Sequence, residues 1–307
     1  MSLDDLKKFL SFLFTGLTCF VAIPFFYIVI FKSPPSIRVY RNTILNLAIW
    51  YVVTMGTYAI LLQPIYATLP NKSCVRFAGL ALFFGKEFHV TVVFLTAISI
   101  ENAPISVIIC FFYRYDQLRG TNNATLMKTH KGFVICVIMH VIISTSACCI
   151  VFILVRFGEL IQHNRMFLLC FDNDNYNMVK LMAFIVGVSL ICECLASVAL
   201  AIMTIIRLRS LKTYMTKWTI QLQQRLTINL VVLLFLPIVF DVIPICVLCY
   251  MAYIKSDSLY FWVSFTGHAP FCDVILSFLA TLYFVTPYRK AVKKMLWKKN
   301  AIIGLAH

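Results

Sequence analysis

Seven long apolar runs constrain this chain more than any other feature. They cover residues 9–31, 43–67, 88–112, 132–155, 181–206, 227–253 and 259–285. Each is long enough to cross a hydrocarbon layer of about 30 Å as a helix. Lipid offers the backbone no hydrogen-bond partner, so a spanning segment is a helix or part of a closed barrel. Barrel strands need polar alternation, which 133–139 and 231–236 lack. The expected fold is therefore all-α, a seven-transmembrane helix bundle formed by a single domain over 1–307 with a cytoplasmic tail at 287–307. The first run is too long for a secretory signal core, so it reads as a retained anchor. The segments between the runs are short, which leaves no room for an appended catalytic domain. One boundary is ambiguous: Lys86 and Glu87 interrupt the apolar residues that begin at Phe77. Residues 77–85 read either as extra helical turns above the membrane or as an interfacial segment.

With 61% hydrophobic and 13% charged residues, the composition is far from that of a soluble domain. The net charge of +15 would suggest nucleic acid in a soluble protein, but its distribution argues otherwise. With the N-terminus outside, segments 32–42, 113–131, 207–226 and the tail after 286 face the cytoplasm. They hold 18 of the 27 Lys and Arg and a single acid, Asp116. Formal charge then divides as +17 inside, +2 outside and −4 within the membrane. That is the positive-inside pattern, a topology signal with no nucleic-acid partner implied.

Ten of the 12 cysteines lie in apolar runs, and only Cys74 and Cys170 fall in loops, both on the outer side. An oxidising exterior would let these two pair, tying the head of the third helix to the second outer loop; two free thiols are the alternative. Asn71 heads a glycosylation sequon on the same face.

Four carboxylates, Glu101, Glu193, Asp241 and Asp273, lie inside the runs, each 13 or 14 residues from the inner end of its helix. At 1.5 Å per residue they share a layer about 20 Å above the cytoplasmic boundary. Ionisable groups at this depth are functional candidates by default. Three readings stand side by side: a pocket for a cationic or hydrogen-bonding ligand, an ion or proton relay, and protonated carboxyls joining helices. Glu101 and Asn102 precede Pro104, a helix-kinking residue, and Asp241 lies between Pro237 and Pro244; these prolines are the candidate hinges. The Cys192-Glu193-Cys194 and Cys148-Cys149 clusters read as small hydrophobes rather than metal ligands, and His89, His140 and His268 are isolated. No metal, cofactor or catalytic residue is expected, so the chain does not read as an enzyme.

After Pro287 the tail reads as an amphipathic helix, with Ala291, Val292, Met295 and Leu296 on one face and Arg289, Lys290, Lys293 and Lys294 on another. It would lie on the anionic inner leaflet.

Phe111-Phe112-Tyr113-Arg114-Tyr115 closing the third run, Pro287-Tyr288-Arg289-Lys290 closing the seventh, and the basic loop running through Arg225 into Leu236-Pro237 resemble the nematode serpentine chemoreceptors. The class H, class I and Str families of that set are the nearest in pattern, class H slightly ahead. The resemblance implies a G-protein-coupled receptor of rhodopsin-like architecture in the plasma membrane of a sensory neuron cilium. Its partners would be a small odorant or pheromone and a heterotrimeric G protein. Glu101, Asn102, Glu193, Asp241 and Asp273 are then the ligand-binding candidates. Arg114 would match the arginine that meets the G protein, joined at the coupling face by Tyr115, Arg207, Arg209 and Arg225. The chain departs from the rhodopsin-like pattern in having Tyr113 where an acid usually precedes that arginine, and in lacking Asn-Pro-x-x-Tyr. The rival reading is a small seven-helix transporter or channel using the membrane carboxylates, although the matching halves typical of such proteins are missing.

Overall fold

The computed structural model describes residues 3–69, 72–119, 130–163, 166–172, 176–253 and 259–303. Its helices are α1 (Leu3–Phe31), α2 (Arg38–Met55), α3 (Lys86–Arg119), α4 (His130–Phe157) and α5 (Tyr176–Ser210), followed by α6 (Lys217–Pro237), α7 (Ile243–Tyr253), α8 (Leu259–Phe284) and α9 (Thr286–Ile303). α6 and α7 are one span joined by a π-helical stretch, Ile238–Val242. Seven segments among the described residues are long and apolar enough to cross a membrane.

Among the boundaries that differ from those read in the sequence, two shape the outer end of the bundle. The second span runs from Arg38 through a π-helical turn, Gly56–Leu62, and stops there rather than near residue 67. Gln63 adopts the left-handed conformation (φ 43°), and Pro64 has no N–H with which to continue the helix. Residues 77–85 are not a helical extension of α3. Phe77 ends a strand, Leu80–Phe84 form a 3-10 helix, and Gly85 (φ 88°) turns the chain into α3. That φ belongs to the left-handed side favoured by glycine. Gly79 is constrained differently, since a Cβ there would run into the Leu61 carbonyl.

The outer loops also add something that an all-α expectation omits. β1 (Pro64–Leu69), β2 (Lys72–Phe77), β3 (Glu159–His163) and β4 (Met166–Asp172) form an antiparallel sheet in the order β1-β2-β4-β3. Cys74 and Cys170 are directly opposed in the β2–β4 register and are joined as a disulfide. The link therefore joins two hairpins, and the chain continues from β2 to the head of α3 through the 3-10 turn. Phe77 and Phe167 of this sheet sandwich His89 at the top of α3, with ring centroids 4.7 and 4.9 Å away.

Half of the most apolar stretch of α3 is buried, against 11% for α4, so α3 is the central helix and α4 peripheral. The main core gathers Phe25 of α1, Tyr51 of α2, Phe111 of α3, Leu230 of α6 and Phe278 of α8. The rings of Phe25 and Phe278 stack at 4.4 Å. On the outside, Phe133, Ile142, Phe152, Phe184, Leu195 and Ile206 are exposed, a surface suited to lipid and not to water. Apolar burial contributes little to association once the surroundings are themselves apolar, so close packing and interhelical hydrogen bonds carry the specificity.

Candidate functional site

The four membrane carboxylates separate into two pairs. Glu101 on α3 and Glu193 on α5 interact with one another, both half-buried, and Glu193 Oε2 has no hydrogen-bond partner. Asp241, in the π-helical stretch, meets Asp273 of α8, which Tyr51 of α2 also faces. Ser277 Oγ donates to Asp273 Oδ1 at 3.1 Å. Cys194 lies near enough to both Glu193 and Asp241 to feel each charge, so the pairs border one region of the bundle interior.

Asn102 does not join them. It turns toward α4 and is fully buried, its amide donating to the Ile98 carbonyl at 2.7 Å and to Ser144 Oγ at 2.9 Å. Its Oδ1 is bonded to His140 Nδ1. Asn46 of α2 donates to Ser106 Oγ at 2.9 Å and reaches His140 Nε2 at 3.1 Å. With Nε2 accepting, Nδ1–H donates to Asn102, which describes a neutral imidazole. Through these bonds Asn102 and His140 join α2, α3 and α4. The sequence reading passed over Asn46, Ser106 and Ser144 and set His140 aside as isolated. The available signal was a set of polar residues inside otherwise apolar runs, two of them, Asn102 and Ser106, one helical turn apart on α3.

Of the hinge candidates, Pro104 lies within an unbroken α3. Pro237 ends α6 just before the π-helical stretch, and Pro244 lies just beyond that stretch in α7. Proline lacks the N–H a regular turn needs, so the change of helical pitch between them has a covalent cause.

At the inner end, Arg114 is completely buried. Its Nη1 donates to Gln117 Oε1 at 2.7 Å and its Nη2 to the Gln223 carbonyl of α6 at 2.8 Å, while Nε has no partner. Tyr113 precedes it, so α3 is fastened to α6 through a neutral carbonyl instead of an ion pair with an adjacent acid. Arg207 reaches the Arg119 carbonyl at 3.2 Å, Arg225 donates to Thr286 Oγ1 at 2.9 Å, Arg209 is exposed and Tyr115 half-buried. A second polar knot, also missed in the sequence, links Asn229 of α6 to the Tyr40 hydroxyl at 2.8 Å and to Thr281 Oγ1 at 3.3 Å. Near it a cavity of about 350 Å³ opens between Pro34 and Ile37, the start of α6, and the α8–α9 elbow, with Arg225 and Lys290 among its lining. Tyr288 in α9 is buried, and burial raises its hydroxyl pKa. Ser33 gives its only proton to the Val29 carbonyl, so the 2.9 Å contact between the two hydroxyls has Tyr288 as donor. Asn71 lies outside the described residues.

A family model described as "Serpentine type 7TM GPCR chemoreceptor Srh" matches residues 3–298. The chain belongs to the Srh chemoreceptor family. The match covers nearly the whole chain, so class H is the assignment among the three resembling families. The Srh chain is thus a multi-pass membrane protein of a chemosensory receptor family, and that family is one of receptors rather than enzymes. No curated protein matches the Srh chain.

Proposed function

We propose that this receptor detects a small odorant or pheromone in the outer half of its bundle and signals to a heterotrimeric G protein, working at the plasma membrane of a sensory cilium. The observation that carries the ligand reading is the Glu101–Glu193 pair. Half-buried Glu101 of the central helix and half-buried Glu193 of α5 are within electrostatic range of one another, and Glu193 Oε2 is unpaired. An unsatisfied acceptor inside a membrane bundle favours a ligand that brings a donor or a positive charge. A basic or hydroxyl-bearing small molecule answers that chemistry.

The inner end supplies the response. With Arg114 bonded to the Gln223 carbonyl, α6 is held against α3. Outward movement of α6 breaks that bond and enlarges the mouth beside Arg225 and Lys290, where a G-protein tail would enter. Ligand binding acts by favouring the open arrangement over the closed one, which requires that it bind the open one more tightly. Tyr115, Arg207 and Arg209 form the rest of the proposed coupling face.

The test is a ligand screen in cells expressing the receptor with a G-protein activation reporter. For an activating ligand, Glu193→Gln shifts the half-maximal concentration upward by about tenfold, the worth of one charge-assisted hydrogen bond. Arg114→Ala abolishes the response at equal surface expression. A wild-type dose curve for Glu193→Gln sinks the ligand contact, and an undiminished response in Arg114→Ala sinks the coupling role.

A further inference from the structure

The 3-10 helix Leu80–Phe84 and the first turn of α3 put large apolar side chains on one surface. Phe83 is 83% exposed and Phe84 66%, Leu80 and Phe88 are also uncovered, and the rings of Phe84 and Phe88 lie 4.8 Å apart. Water is a poor surrounding for such a patch.

Its height decides what covers it. The second span leaves the basic inner loop at Arg41 and ends at Leu62, a rise of about 30 Å at 1.5 Å per residue, which matches the hydrocarbon thickness. Leu61 and Leu62 therefore stand at the outer hydrocarbon boundary. The loop is fastened to them: the N–H groups of Ala78 and Gly79 donate to the Leu62 carbonyl at 3.1 and 3.0 Å, and a Cβ on Gly79 would strike the Leu61 carbonyl. Ala81 is fully buried in one cluster with Leu62, Phe77, Val92 and Phe167. The 3-10 helix is thus level with the end of the second span and cannot lift away without unpacking that cluster.

Direction agrees with height. Ala81 is turned inward, while Leu80, Phe83 and Phe84 are turned outward. Further along α3, Phe88, Thr91 and Leu95 are exposed at helical spacing on one face, which runs down into the span. The patch is therefore continuous with the lipid-facing side of α3. Exposed Lys86 and Glu87 flank it, as charged groups of a headgroup layer do.

We propose that Leu80, Phe83, Phe84 and Phe88 are seated among the phospholipids of the outer leaflet, making the loop between the second and third spans a membrane anchor. Anchored there, the turn sets the height of the α3 head. Through the cluster that holds Phe77 and Phe167, it also sets the height of the disulfide-linked sheet. The anchor uses neither Glu101 nor Glu193 and its test needs no odorant, so the two readings fail separately.

The full-length receptor, carrying p-benzoyl-phenylalanine in place of Phe83 or Phe84, is irradiated in phosphatidylcholine nanodiscs and its peptides are weighed. Both positions capture phosphatidylcholine, at a yield like that of the same label at Ile142 on the lipid-facing side of α4 and well above that at Thr213 in the inner loop. In a second measurement, Phe84→Trp adds an indole whose emission is read as the difference from wild type. Lipids brominated in the upper acyl chain remove most of that emission, and aqueous iodide removes little. Both substitutions replace one exposed aromatic ring by another, so folding is not at risk. The absence of lipid adducts at both positions overturns the proposal. So does capture of a second receptor copy in their place, or an indole quenched by iodide and untouched by brominated lipid.

Discussion

Asn102 shows why a residue's chemistry does not reveal its partner. An amide beside an acid in an apolar run satisfies the criteria for a ligand contact, yet its donors and its acceptor are taken by Ile98, Ser144 and His140. Helical periodicity explains the split: adjacent residues point about 100° apart, so Glu101 and Asn102 serve different neighbours. Asn102→Leu should leave His140 Nδ1–H without its acceptor and cost about 1 kcal/mol, at the level measured for membrane hydrogen bonds. Thermal melts in nanodiscs check this, together with a ligand dose curve that stays at the wild-type position. Tyr288→Phe removes the donor to Ser33 while keeping the buried ring and should cost about 0.5–1.5 kcal/mol. A melting temperature equal to wild type would show that bond to be idle. The polar character of these positions was legible in the sequence, but the directions of their side chains were not.

At the scale of elements, what could be read in advance was what covalent chemistry imposes. Prolines 237 and 244 announced an irregular sixth span, and a π-helical stretch is found between them. The outer sheet was not legible, because β1–β2 and β3–β4 lie far apart in the chain and pair only when the bundle brings the two outer loops together. The Cys74–Cys170 bond then ties 96 residues of chain. Replacing Cys74 with Ala should destabilise the folded receptor by about 2–4 kcal/mol. It should also expose the hairpins to protease added outside intact cells; unchanged digestion would assign the sheet's order to its hydrogen bonds alone. Gly85→Ala, at φ 88°, should cost about 1 kcal/mol through backbone strain. A matched Gly16→Ala control, where a Cβ meets nothing within 4 Å, should not lower the melting temperature.

Across the whole molecule, the charge distribution predicts orientation. An epitope placed before Met1 should be labelled on intact cells, and one placed after His307 only after permeabilisation. The reverse pattern would overturn the assignment of the basic end to the cytoplasm. α9 fits that end: Ala291 and Val292 pack on the main core while Lys290, Lys293 and Lys294 are exposed. Hydropathy and charge are sums over local residues, and a bilayer acts on local residues, so the sequence alone determined seven helical spans and the family pattern, and it predicts their direction. Which polar groups meet across the bundle was decided only by the tertiary structure. The division of four carboxylates into two pairs, the diversion of Asn102 to α4 and the bond from Arg114 to the Gln223 carbonyl each depend on how helices distant in sequence rotate and pack, an outcome of side-chain fit that no single helix encodes.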